Sequence, residues 1–224
     1  SVGVSMRIVF SNFLFLSFIF STTINIPEDF STIQSGINAA NDGDTVLIAE
    51  GVYYENLYLD KEIVLSSHAI MDDLDDNWHE NQTIQQTIIS APSMLDNSNL
   101  NFGSCLVIEG GNINPTVLGL TFQNGMGTKM KTTACGIDIE SRSGGAILLF
   151  KAYPTITFNR FLNNGFSVST GLGNTTISVN DGGAISLYDD EDVEFDEDRS
   201  SHNHSNRPSR TIPDTLNIKN NITI

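Results

Sequence analysis

The sequence predicts an all-β fold in which short parallel strands stack into a solenoid, closed at its N-terminal end by a short helix. Three observations lead there. First, Pro115-Thr116-Val117-Leu118-Gly119-Leu120-Thr121-Phe122-Gln123-Asn124-Gly125 is rewritten as Pro154-Thr155-Ile156-Thr157-Phe158-Asn159-Arg160-Phe161-Leu162-Asn163-Asn164-Gly165, 39 positions on, and Gly145 returns as Gly183, 38 positions on. A fixed period of this length marks a repeat architecture whose units bury their apolar faces only by stacking. Second, each unit holds short β-branched runs broken by Asn and Gly. Third, helix signals are missing between the runs, so the chain must coil to bring each strand about 4.8 Å from its counterpart.

The elements follow in chain order. Met6-Arg7, the apolar run Ile8 to Phe20 and then Ser21-Thr22-Thr23 match the basic, apolar and small-residue regions of a signal peptide. Ser1 to Ser5 precede the initiator in this scheme, and the apolar run is short for a membrane span. A buried core segment is the alternative. Residues 1–23 are therefore set apart, and the expected location is secreted or cell surface. Ile24 to Phe30 reads as a strand leading into Ser31-Thr32-Ile33-Gln34, where a Ser three residues before a Gln forms a capping box. Ile33, Ile37 and Ala40 then share a helix face, and Asn41-Asp42-Gly43-Asp44 supplies the stop. Residues 24–44 are the expected cap over the stack.

Rungs are expected over 45–224. Their predicted strands are Thr45–Ile48, Ile63–Leu65, Thr87–Ile89, Leu106–Ile108, Val117–Leu120, Ala146–Leu149 and Thr155–Phe158. Asn124, Asn163 and Asn164 end the units, where Asn tolerates left-handed turns and can ladder between rungs. Thr215 to Ile224 repeats the phrasing of a rung with no cap after it. The expectation is a solenoid truncated at that end, which self-associates through exposed strand edges.

The stretch Phe30-Ser31-Thr32-Ile33-Gln34, Ile37, Ala40, Gly43-Asp44-Thr45-Val46-Leu47-Ile48-Ala49, Gly51, Tyr53, Glu55-Asn56 resembles the opening of pectin-lyase-like proteins. The resemblance covers about Ile26 to Leu65, and the Gly-Gly-Ala-Ile and Pro-Thr-Ile-Thr units extend it more loosely. It implies a right-handed parallel β-helix, a fold shared by pectin methylesterases and many non-catalytic secreted repeat proteins. The esterase motifs are not matched: Gly144-Gly145-Ala146-Ile147-Leu148-Leu149 stands where an esterase carries its oxyanion Gln and substrate Arg, and its Asp-Phe-Ile-Phe-Gly element is missing.

Charge narrows the partners. Lys and Arg number 11 against 27 Asp and Glu, a net charge of −16, which argues against nucleic acid and anionic membranes. Cys105 and Cys135 could pair in an exported chain or remain buried thiols; their spacing has no zinc-site form.

Candidate sites lie where the chain leaves its rungs. Met126 to Ser143 and Phe166 to Asp181 both follow an Asn-Gly unit end, so they are expected as loops stacked on one side, forming a shelf or mere surface excursions. Lys129, Lys131, Arg142, Lys151 and Arg160 on or beside that shelf are the candidate binding cations. A lyase could use such a cation as base beside carboxylates holding Ca²⁺. Asp189, Asp190 and Asp192 are the candidate calcium ligands, although neither this run nor Asp72 to Asp76 has an EF-hand spacing. Asp138, Glu140, Asp181 and Asp189 are acids a glycoside hydrolase could use.

The expected function is an extracellular binding or structural module without a recognisable catalytic site, with carbohydrate the ligand implied by fold analogy. A calcium-assisted polysaccharide lyase is the alternative, and a surface-protein stalk is a third.

Overall fold

The computed structural model describes residues 21–92, 102–134, 137–165, 178–181, 184–188, 193–195, 217–219 and 222–223. The apolar run Ile8 to Phe20, expected as part of a signal peptide, and Asp189 to Asp192 lie outside them. The described chain is mostly β, with few helices and with parallel sheets that do not close into a barrel.

Strand β1 (Thr23–Ile26) precedes helix α1 (Ile33–Ala39). The chain then runs through β2 (Thr45–Ile48), β3 (Gly51–Tyr54) and β4 (Leu57–Leu59). A second pass takes β5 (Val64–Ser67), an excursion over 68–86 ending in α2 (Gln82–Gln86), β6 (Thr87–Ser90) and β7 (Leu106–Ile113). A third takes β8 (Thr116–Leu118), β9 (Thr121–Gln123), the hairpin β10 (Thr128–Ala134) and β11 (Ile137–Ser143), and β12 (Ile147–Ala152). The fourth takes β13 (Thr155–Thr157), β14 (Arg160–Leu162), β15 (Ser178–Asp181) and β16 (Ile185–Tyr188), and beyond it come β17 (Val193–Phe195), β18 (Asn217–Lys219) and β19 (Ile222–Thr223).

These strands sort into three parallel sheets visited in the same cyclic order: β1-β2-β5-β8-β13-β18, β3-β6-β9-β14-β19 and β4-β7-β12-β16. The fourth sheet, β15-β11-β10-β17, is mixed. Register explains the repeat: Thr155-Ile156-Thr157 pairs with Thr116-Val117-Leu118, and Phe161 with Phe122, at the 39-residue offset seen in sequence. Ile147 pairs with Ile185 at the 38-residue offset.

Because register is preserved, identical faces point inward on every pass. Ile24, Val46, Leu65, Val117 and Ile156 form one buried column; Ile89, Phe122 and Phe161 form another; Leu57, Leu106 and Ile147 form a third. The Phe122 and Phe161 rings stack with centroids 5.8 Å apart. Each wholly buried side chain of this size contributes about 1.5–3 kcal/mol, so the columns carry the fold.

The strands expected over Val117–Leu120 and Thr155–Phe158 both stop one or two residues early. Gly119 (φ +69) and Phe158 (φ +57) turn left-handed at that corner, and Asn124 (φ +61) and Asn163 (φ +52) do so at the next. The expected left-handed turns at Asn124 and Asn163 are therefore present. Asn164 spans passes by bonding backbone: it accepts from Gly125 N–H at 2.8 Å and donates to the Phe122 carbonyl at 2.9 Å.

Helix α1 lies where expected, but its cap differs. Thr32, not Ser31, is the N-cap, its hydroxyl accepting from Ser35 N–H. Both carboxylate oxygens of Glu55 accept from the first-turn N–H groups of Ile33 (2.9 Å) and Gln34 (3.0 Å). Gln34 is thereby freed to bond both the N–H and the carbonyl of Tyr58 on β4. At the other end Lys61 Nζ donates to the carbonyls of Ile37, Asn38 and Ala40, which satisfies the orphan acceptors of the last turn.

Candidate functional site

The segment Met126 to Ser143, expected as a loop, is an ordered hairpin. Its strands alternate: the face holding Thr128 and Met130 is buried, while Lys129 and Arg142 point the other way as a directly opposed pair. Met130 packs with Tyr58, Val107, Leu148 and Phe150 in a second apolar core between the hairpin and the outer face of the third parallel sheet, and Phe102 closes its edge. That core is why the excursion is a sheet and not a loop. The outward positions of β4, β7 and β12 are apolar, and only a covering layer can dry them.

The base of the hairpin is fixed by a buried polar knot. The Ser104 N–H donates to the Thr128 hydroxyl, which donates in turn to Ser104 Oγ, and Ser104 Oγ donates to the Gly144 carbonyl. The Ser104 carbonyl accepts from Asn56 Nδ2 at 2.8 Å. Gly103 and Gly127 pass so closely that a Cβ on Gly103 would clash with the Gly127 carbonyl oxygen.

The structure brings three of the five candidate cations to one sheet. Lys129 and Lys131 sit on β10 and Arg142 on β11; Lys131 stands opposite Glu140 in register, and its side chain lies outside the described residues. Arg142 donates to the Gly127 carbonyl at 2.7 Å, and burial pulls its guanidinium below its usual pKa. Lys151 belongs instead to the third parallel sheet, at a bulge with φ +49, its ammonium 5.6 Å from the Phe150 ring centroid. Arg160 is on β14 in the second parallel sheet, and its buried Nε has no acceptor among the described residues.

The strand β15, within the second expected excursion, pairs in parallel with β11. Both departures from the rungs therefore feed one surface, as their shared corner predicts. Asp138, Glu140 and Asp181 occupy strand positions on it, at β11 and β15, and nothing further is described of their side chains. Asp189, Asp190 and Asp192 lie outside the described residues, as does Cys135. Cys105 is a free thiol, buried, donating to the Gln123 carbonyl. Among the described residues no cluster of three His, Cys, Asp or Glu could hold a metal ion, and no helix is long and apolar enough to cross a membrane.

Sequence reasoning missed Tyr58 and Glu109. They lie on neighbouring strands at the rim of the second core, and the Tyr58 hydroxyl donates to Glu109 at 2.9 Å. The signal was available in Leu57-Tyr58-Leu59, where a polar-tipped aromatic sits between two inward leucines.

Comparison with protein-family models, with curated proteins and with solved structures found no match. The class defined by fold and site is thus a mostly-β protein of stacked parallel sheets carrying a second sheet on one face.

Proposed function

We propose that this chain is a right-handed parallel β-helix of the pectin-lyase-like kind, acting at the cell surface or in the extracellular space as a binding or structural module for carbohydrate. The observation that carries the reading is the cyclic order of the three parallel sheets combined with two departures at one corner that meet in a single added sheet. In repeat proteins such a recurring departure builds the binding face. Lys129, Lys131 and Arg142 give this face its cations on a chain that is otherwise strongly acidic, which suits an acidic or calcium-bridged glycan.

The test is binding of the whole chain to a panel of soluble neutral and acidic polysaccharides, with and without calcium. Saturable binding to an acidic glycan that weakens in the K129A/K131A double variant supports this face. No binding to any glycan overturns the reading.

A second reading, a polysaccharide lyase, is favoured by Arg160, whose buried Nε lacks an acceptor among the described residues. Calcium-dependent formation of unsaturated uronide, lost in Arg160→Ala, would establish it.

A further inference from the structure

Each of the three parallel sheets starts on a strand with one open side: β1, β3 and β4. In a parallel ladder successive residues direct their N–H and C=O groups to alternate sides, so every second residue of such a strand offers both groups to whatever lies beyond it. Two of the three edges are plugged by the chain itself. On β1 the Ile26 carbonyl accepts from Ala49 N–H and faces β2, which leaves Asn25 facing out. Asp29 takes both groups of Asn25, its carboxylate accepting from Asn25 N–H at 2.7 Å and its own N–H donating to the Asn25 carbonyl at 2.8 Å. On β4 the Leu57 N–H donates to the Cys105 carbonyl and faces β7, which leaves Tyr58 facing out. Gln34 closes that position, accepting from Tyr58 N–H at 2.7 Å and donating to its carbonyl at 3.0 Å.

The edge of β3 has no such plug. Ala91 N–H donates to the Gln123 carbonyl, so Gln123 faces β6. Counting back through the paired registers, Ile88 and Ser90 face β3, Gly51 and Tyr53 face β6, and Val52 and Tyr54 face out. No described residue bonds the N–H or C=O of either. Their side chains are also the exposed ones of the strand, at 47% for Val52 and 70% for Tyr54. A free strand edge with apolar side chains is a template for an added strand.

Charge selects that strand. Residues 21–62 carry eight Asp and Glu against one Lys, and this Lys61 is held by the carbonyls of Ile37, Asn38 and Ala40. Glu50 and Glu55 stand immediately before and after β3. A second copy would bring like charge against like, whereas a cationic strand is attracted.

We propose that β3 is a docking edge for an extended cationic segment of another protein, which joins the second parallel sheet as a strand beside Val52 and Tyr54. The segment carries apolar side chains two residues apart, set against Val52 and Tyr54, with Lys or Arg on either side towards Glu50 and Glu55. The inference is independent of the glycan reading, since it uses main-chain groups of a different sheet.

The test titrates the whole isotope-labelled chain with the peptide Lys-Lys-Val-Thr-Tyr-Lys-Lys and, in parallel, with Glu-Glu-Val-Thr-Tyr-Glu-Glu. The lysine peptide should saturate the protein by about 1 mM, and the glutamate peptide should not bind. Amide hydrogen exchange, followed by NMR, should slow at Val52 and Tyr54 and stay unchanged at Asn25 and Tyr58, whose N–H groups are already bonded. Attraction to surface charge alone would not slow it. The V52K/Y54K variant, altered only at solvent-facing side chains, should keep the wild-type urea midpoint and bind the lysine peptide at least about tenfold more weakly, because lysine guards a strand edge against pairing. Four results overturn the proposal: no binding of the lysine peptide, binding without slowed exchange at Val52 and Tyr54, equal binding of the glutamate peptide, or undiminished binding by V52K/Y54K. Slowed exchange at Val52 and Tyr54 that appears with rising protein concentration alone, together with a dimer in sedimentation, would assign the edge to a second copy and also overturn it.

Discussion

Asn159 ties the fourth pass to the third through Leu120. The Leu120 N–H donates to Asn159 Oδ1 at 3.0 Å, and Asn159 Nδ2 donates to the carbonyls of Val117 and Thr157, each at 2.9 Å. Asn159 is wholly buried, so these bonds have no water to replace them. Asn159→Leu should leave the buried Leu120 N–H unpaired and take one donor each from the Val117 and Thr157 carbonyls, at a cost of about 2 kcal/mol read from the urea midpoint. A loss below the error of that measurement would show that the passes hold together without the bridge.

Helix α1 gives a sharper contrast between neighbours. Its first-turn N–H groups are bonded by Thr32 and Glu55, while the Ser31 side chain is exposed and takes no part. Thr32→Ala should cost about 1 kcal/mol and Glu55→Ala about as much or more, because a carboxylate on two N–H groups is a charge-assisted pair. Ser31→Ala should be neutral. A destabilising Ser31→Ala with a silent Glu55→Ala would return the cap to the sequence-predicted box.

This contrast shows how far the sequence could be read. The 39-residue echo gave strand register directly, since parallel strands in a repeat pair at the repeat offset, as Phe122 and Phe161 do. The cap was misassigned because a local pattern cannot reveal a competitor from elsewhere in the chain: Glu55 is 22 residues from Ile33. The hairpin was missed for a related reason. Thr128 to Ser143 is rich in polar and charged residues, and the buried face to which Met130 belongs has its other half far off in the chain, in Tyr58, Val107, Leu148 and Phe150. Asn159 sits mid-unit and not at a unit end, so the turn logic that found Asn124 and Asn163 passed over it.

Acid should act through Asp44. Its carboxylate is buried and accepts from Asn41 N–H at 2.8 Å and Thr22 N–H at 2.7 Å, bonds that hold its pKa below the usual carboxylate value, with Lys61 adding a smaller push in the same direction. A group whose folded pKa is depressed contributes stability that is complete above its unfolded pKa of about 3.9 and fades as pH falls through the folded value. The stability gap between wild type and Asp44→Asn should therefore be flat from neutral pH to about pH 5 and shrink below about pH 4. A gap that stays constant into strong acid would mean the carboxylate does not titrate differently on folding.

Cys105 tests the interior. It is wholly buried between Gln123 and the Asn164 side chain, and burial pushes its thiol up to about 12, so almost no thiolate exists near neutral pH. In a Cys135→Ser variant, which leaves one cysteine, the native protein should resist an aromatic disulfide reagent at mildly alkaline pH and react stoichiometrically once urea unfolds it. The labelling rate across the urea range should follow the unfolding curve, because the thiol meets reagent only when the apolar core that encloses it opens. Rapid labelling of the native variant would place Cys105 at an accessible edge. Failure of the wild-type chain to label in urea, reversed by reductant, would show instead that Cys105 and Cys135 are joined.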